Sequence, residues 1–391
     1  MGHSANKGGF IKAALFAVLG ILLAVPAVDA QVTVKGDARY RFEYFAEGKN
    51  TDTLQGPDTT TTRYRNRIRG RVGVEAKLSE ELKAYIGLAT GGIDPVSTNQ
   101  TFDDAFSTKV IGLDLTYFEW KPSLVPGLNL SGGKVKKPWV MVTDLVWDGD
   151  LNPEGLFLSY TPSFGLISPF LTGTYFWVDE TSGDNKDLML YTGQLGTRLA
   201  FGNGIGLMLG ASYITYTNIQ GHKWLYDDKG FGNTEGEDMI IDTLTGDTSY
   251  VKNKTFACGY DLLDIIAEFG IRIGTFPISV YGDYVMNIAA DEDNAGMMFG
   301  VRLGKASNPG SFEIEANYRT LDKDAALGVF TDSDFRGGGT NGSGFKFSGK
   351  YQLSPAVQPG LTVFYNTKGL GDGVNDRLPY TRVQADVNFK F

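Results

Sequence analysis

Residues 63–78 read R-Y-R-N-R-I-R-G-R-V-G-V-E-A-K-L, with an arginine at every second position from Arg63 to Arg71. A β-strand turns successive side chains to opposite faces. Arg63, Arg65, Arg67, Arg69 and Arg71 therefore share one face, and Tyr64, Ile68, Val72, Val74, Ala76 and Leu78 share the other. Few folds accept such a strand. Burying an unpaired ion costs several kcal/mol even after relaxation, and an arginine facing lipid costs about 2–4 kcal/mol near the bilayer midplane. The arginine face must meet water or partners, and the apolar face needs a cover.

The same alternation recurs at both ends of the chain. Val32, Val34, Gly36, Ala38, Tyr40, Phe42 and Tyr44 alternate with Lys35, Asp37, Arg39, Arg41 and Glu43. In the last ten residues, Val383, Ala385, Val387, Phe389 and Phe391 alternate with Arg382, Gln384, Asp386, Asn388 and Lys390. Between these ends the pattern predicts strands near 63–78, 82–90, 109–120, 128–134, 155–161, 167–178, 187–201, 205–218, 260–273, 276–286, 296–304, 312–320, 344–353 and 361–366. That makes about sixteen strands in all. In 109–120 both faces hold apolar residues, so the parity there is open.

The connections alternate in length. Long ones fall at 46–62, 91–108, 135–154, 179–186, 219–259, 287–295, 321–343 and 367–379, and the turns between them are short and rich in Pro and Gly, among them Pro355 and Pro359. The two ends of the fold are thus built differently. No composition shift marks a second domain.

After residue 30 no stretch approaches the ~18 continuous apolar residues of a membrane helix, so a membrane role would use strands. Residues 1–30 look like a secretory signal: Lys7 and Lys12 precede an apolar run at 13–25, and Pro26 and Val28-Asp29-Ala30 form a cleavage pattern before Gln31. The formal net charge of −9 argues against nucleic acid as a partner. A lone cysteine, Cys258, leaves no internal disulfide to hold an exported chain together.

A soluble sandwich, a propeller and a transmembrane barrel all fit an exported alternating chain, and the arginine face decides among them. A barrel puts the apolar parity in lipid and the arginines in water. Strand length, an even strand count and alternating connections point the same way. So do aromatics near strand ends, such as Tyr40, Tyr64, Tyr213 and Phe345. The expected fold over 31–391 is all-β: a transmembrane antiparallel up-and-down β-barrel with short periplasmic turns and long extracellular loops.

The ladder 63–78, the loop D-P-V-S-T-N-Q-T-F at 94–102, S-G-G-K-V-K-K-P-W at 131–139 and D-L-V-W-D-G-D-L-N-P-E-G at 144–155 together resemble the bacterial outer-membrane putative porins, over essentially all of 31–391. The resemblance implies a diffusion channel in the bacterial outer membrane. It also implies a C-terminal Phe391, with Phe389, read by the outer-membrane assembly machinery, and by analogy a homotrimer.

Arg39, Arg41, Arg63, Arg65, Arg67, Arg69 and Arg71 are the expected pore-lining residues, concentrating anions and repelling cations. The competing reading is that they pair with inward carboxylates and hold the wall together. The loop 135–154 is the expected constriction, with Asp144, Asp148 and Asp150 facing the arginines across the narrowing. Asp291-Glu292-Asp293 and Asp322-Lys323-Asp324 are read as acidic outer-loop clusters, with lipopolysaccharide a possible neighbour. Only His222 remains after the leader, in the longest loop, so neither a catalytic histidine on a strand nor a histidine metal site is expected, and no cofactor is. The expected function is passive diffusion of small hydrophilic solutes with an anion bias. The alternative is a barrel that sheathes a partner protein, or a surface receptor built on 219–259.

Overall fold

The computed structural model describes residues 31–49, 59–183, 186–241, 248–369 and 377–391. The leader assigned to 1–30 lies outside the described residues. In the first third, β1 (Gln31–Lys49), β2 (Thr59–Lys77), β3 (Leu82–Thr90), a two-residue β4 (Gln100–Thr101), β5 (Ile111–Trp120) and β6 (Leu128–Lys134) follow one another. Next come β7 (Glu154–Tyr160), β8 (Ile167–Asp179), β9 (Leu188–Gly202), β10 (Ile205–Thr217), β11 (Glu235–Ile241) and β12 (Thr248–Phe256). The last third holds β13 (Tyr260–Ile273), β14 (Phe276–Asn287), β15 (Ala295–Gly304), β16 (Phe312–Leu321), β17 (Gly342–Tyr351), β18 (Val357–Lys368) and β19 (Leu378–Lys390).

Leaving out β4, β11 and β12, sixteen strands form one closed antiparallel sheet in which β1 pairs with β2 on one edge and with β19 on the other. Closure leaves no free sheet edge, which a membrane would not tolerate. Large apolar side chains stand exposed around the outside, among them Val34, Tyr64, Val74, Ile86, Leu195, Ile265, Phe347 and Leu361. Phe391 joins the seam by backbone: its N–H donates to Gly36 O (3.1 Å) and its carbonyl accepts from Gly36 N (3.0 Å). Gly36 must lack a side chain, because a Cβ there would lie 2.7 Å from the backbone oxygen of Arg71 as well as 2.3 Å from the Phe391 ring.

Three features differ from the sequence reading, each for a local reason. In β5, Gly87 faces Leu115 while the next residue, Leu88, faces Leu113, so Asp114 is an extra residue. Such a bulge switches the parity within one strand, which is why alternation could not assign it. The strand placed at 361–366 runs over Val357–Lys368, so Pro359 belongs to the strand, opposite Val387, and not to the turn. The connection 219–259, read as loop, contains the β11–β12 hairpin.

The lumen also departs from a uniformly polar lining. On β9, β10, β13, β14 and β15 the inward residues include Leu190, Ile214, Met208, Leu262, Ile266, Val285 and Met298, all buried. They pack against apolar residues of two long connections, including Val142, Leu145, Val146 and Trp147 from 135–153 and Ala325, Ala326 and Leu327 from 322–341. Burial of this apolar surface, at about 25 cal/mol per Å², holds both connections inside the barrel. Clusters of charged residues gather on the opposite wall, β1, β2 and β19, and on β16–β17, while Asp264 on β13 and Asp283 on β14 are buried within the apolar half.

Candidate functional site

The charged wall is set by register. Glu43 on β1 faces Arg65 on β2 and Gln384 on β19, and Arg41 faces Arg67 and Asp386. Inward parity therefore interleaves acids with the arginines, and most of the ladder is paired. Arg41, only 5% exposed, holds both oxygens of Asp386 (2.7 and 2.8 Å) and one of Asp334 (2.9 Å). Glu43 accepts from Arg65, Arg382 and Gln384. Asp37 bridges Arg69 and Arg71 at 2.8 Å each.

The remaining three arginines stand apart. Arg39 has no carboxylate within salt-bridge distance among the described residues, and its guanidinium donates to Asn99 Oδ1. Arg67 reaches Glu43 only at 3.8 Å and donates to the Asn99 carbonyl (3.2 Å). Arg63 is exposed and lies over Phe45, 6.0 Å from the ring centre. Asn99 is positioned by β4, which pairs with β2 at Arg67 and Ile68.

Loop 135–153 crosses from this wall to the far side. Lys137 folds it, donating to the carbonyls of Asp148 (2.6 Å), Gly149 (3.1 Å) and Leu151 (2.8 Å). Burial lowers the Lys137 pKa. Trp139 and Trp147 pack at 4.6 Å between ring centres, and Trp147 stacks on Phe330 of the second infolded connection. Gln194 on β9 bonds the loop backbone at Val140 in both directions, as acceptor at 2.7 Å and donor at 2.9 Å.

The three loop carboxylates divide the work. Asp150 alone faces the ladder, at 3.3 Å from Arg71 and 3.8 Å from Arg69. Asp144 turns away from it to Arg319 on β16 and Lys346 on β17, the latter at 2.7 Å. Burial would raise its pKa, but those two cations outweigh burial and hold it well below the usual carboxylate range. The Asp148 carboxylate accepts from the backbone N–H of Asp150 (2.7 Å) and Ser333 (2.8 Å). Burial and the neighbouring Asp332 push its pKa well up.

The connection 322–341, read as an outer loop, is the one the sequence misplaced. Asp324 is buried and accepts from Tyr260 OH (2.7 Å) and Thr234 N (3.0 Å). Asp334 joins Arg41 to Arg382, at 2.9 and 2.8 Å. Burial opposes its ionisation, yet Arg382 and Arg41 keep its pKa far below the usual range. The run A-A-L-G-V-F at 325–330 was the available signal, since six apolar or small residues suit a packed segment better than a solvated loop. Among the described residues no cluster of three or more His, Cys, Asp or Glu is arranged to hold a metal.

A family profile described as "Putative porin" matches residues 41–234 and 242–391, across both the charged wall and the infolded connections. The chain belongs to the putative porin family. Among solved structures, this porin is similar to Pseudomonas putida OprB in its high-pH form, at 10% identity over 96% of this chain and 97% of that one, with a TM-score of 0.56. It also aligns with a mutant of the Rh. blastica porin at 12% identity, 92% and 100% coverage and a TM-score of 0.49. At such identity the likeness to OprB concerns the fold. No curated protein matches this porin in sequence.

Proposed function

We propose that this porin resides in the bacterial outer membrane and passes small hydrophilic solutes by passive diffusion, favouring anions along the β1–β2 wall. The observation that carries the bias is the uneven pairing of the ladder: among the described residues Arg39 has no carboxylate within salt-bridge distance, and Arg67 only a distant one. Paired arginines add little net field, so these two, with Arg63 at the mouth, are the selectivity residues. The guanidinium suits carboxylate and phosphate groups, which it can bind through two N–H donors. Loop 135–153 is the constriction, with Asp150 opposite Arg69 and Arg71 across it.

A sheath for a partner protein needs a wide, clear lumen, and connections 135–153 and 322–341 fill much of this one. The apolar belt meets the bilayer, acidic loops such as 291–293 face the lipopolysaccharide zone, and Phe389 and Phe391 form the assembly signal. A homotrimer is favoured by the low wall at β6 and β7, seven residues each. A groove of about 1370 Å³ opens there, lined by Ile93, Leu113, Leu156 and Trp177 among others, and Phe106 in connection 91–110 is fully exposed. Planar-bilayer recording in a KCl gradient tests the channel: steady conductance with a chloride-side reversal potential is expected. A cation-side potential would end the anion claim, and absence of conductance would end the channel reading.

A further inference from the structure

Where connections 91–110, 218–234 and 322–341 meet the upper ladder they enclose a cavity of about 180 Å³. Its walls differ in chemistry. Arg65, Arg67 and Arg382 line one side with Asp334, which is already paired with Arg41 and Arg382, and Asp94, Tyr226 and Phe231 also border it. Arg65 pairs with Glu43, and Arg382 with Glu43 and with Asp334 at 2.8 Å, whereas Arg67 reaches Glu43 only at 3.8 Å, which leaves Arg67 as the least compensated cation of the three. Its Nε, like that of Arg382, is buried with no hydrogen-bond partner among the described residues.

Asp94 is the matching anion. Half-buried, it accepts one backbone bond, from Val96 N at 3.0 Å, and no cation among the described residues lies within 4 Å of it. Arg67 and Asp94 border the same cavity, and the carboxylate within 4 Å of Arg67 among the described residues is that of Glu43, so the two unlike charges line one space without pairing. Tyr226 and Phe231 stack beside it, 6.1 Å apart and 18° from parallel, and aromatic faces attract an ammonium group. A cavity of this size has room for about six waters, at ~30 Å³ each.

We infer that this cavity is a capture site for small zwitterions of the α-amino-acid class, with the carboxylate on Arg67 and the ammonium on Asp94 beside the Tyr226 and Phe231 rings. A simple anion would satisfy Arg67 and leave Asp94 facing it. A simple cation would do the reverse. A zwitterion satisfies both at once, so it binds where neither half does. The inference rests on the reading of the barrel as a channel for small hydrophilic solutes, for which the cavity lies at the long-loop mouth.

Titration calorimetry on the detergent-solubilised full barrel, with L-alanine, propionate and ethylammonium at neutral pH, tests the site without requiring conductance. Alanine should bind at least about tenfold more tightly than either single-charge probe, the equivalent of one charge-assisted hydrogen bond. Asp94→Asn should reduce alanine to the level of propionate, and Arg67→Gln to that of ethylammonium. Equal affinity for alanine and propionate in the unaltered protein would overturn the inference, as would indifference to Asp94→Asn in a folded barrel. Alanine binding without bilayer conductance would instead overturn the channel reading and leave the site standing.

Discussion

Glu43 on the first strand and Arg382 on the last form an ion pair sealed from solvent on both sides, the carboxylate 0% and the guanidinium 3% exposed. The pair crosses the seam at which the barrel closes, and Arg65 reaches the same carboxylate from β2. Removing one member of a buried ion pair leaves the other charge uncompensated, at a cost of about 3–5 kcal/mol. Glu43→Gln should therefore lower the urea midpoint of the folded barrel markedly, and Arg382→Gln in the same chain should recover part of the loss. An unchanged midpoint for Glu43→Gln would mean that the seam does not depend on this carboxylate.

Arg39 and Arg41 sit on the same face of β1 and should respond oppositely to substitution. Arg39 has no carboxylate within salt-bridge distance among the described residues and bonds Asn99 instead, so Arg39→Gln is expected to move the reversal potential toward the cation side with little change in folding. Arg41 holds Asp386 and Asp334, so Arg41→Gln should cost stability before it changes selectivity. Bilayer recording and a denaturation midpoint on each variant separate the two. A larger selectivity shift from Arg41→Gln would reverse the assignment.

Acid should release the infolded connections only below the usual carboxylate range. Asp144 and Asp334 have folded pKa values depressed below their unfolded value of about 3.9 by Arg319 with Lys346 and by Arg382 with Arg41. Their stabilisation is thus present above that pH and is lost as pH falls through the lower folded values. Asp148 and Asp332 are raised, so their contribution is fullest in acid and declines as pH rises toward the raised values. Fluorescence of Trp139 and Trp147 should accordingly stay blue-shifted down to about pH 4 and move red in stronger acid. A red shift between pH 7 and 5 would contradict this.

Phe391 contacts the seam through its backbone and lays its ring on Gly36. Gly36→Val should displace the ring and lower the fraction of heat-modifiable, folded barrel, while Phe391→Ala should lower membrane incorporation more than it lowers stability once folded. Equal incorporation of Phe391→Ala and the unaltered chain would remove its role as an assembly signal.

Arg39 donates to the Asn99 side chain while Arg67 donates to its main-chain carbonyl, so Asn99→Ala should free the Arg39 guanidinium and leave the Arg67 bond in place. An increased anion-to-cation permeability ratio is expected. A decrease would show that Asn99 orients Arg39 for the solute.

The arginines at alternate positions were enough to predict strands, their inward face and a closed barrel, because parity is a local property and an unpaired charge tolerates neither lipid nor a dry core. The register that lets Glu43 meet Arg65 and Gln384 followed only once β1 was paired on both edges. Asp114 shows the limit of parity: a single bulged residue defeats it within a strand. Legibility was poorest in the connections. Asp322-Lys323-Asp324 reads as a solvated acidic run, yet Asp324 is buried against Tyr260, sixty-four positions away in sequence.

Of the three loop carboxylates, the sequence placed all on one loop, but only the tertiary structure sent Asp150 to the ladder, Asp144 to the opposite wall and Asp148 to the backbone of 322–341. The physical reason is range. Alternation and ladder are written between near neighbours, where strand geometry translates residue order directly into faces. Which arginines keep uncompensated charge depends on carboxylates such as Asp334, 293 positions from Arg41, and chain closure brings those together only after the apolar half of the lumen has drawn the loops inside.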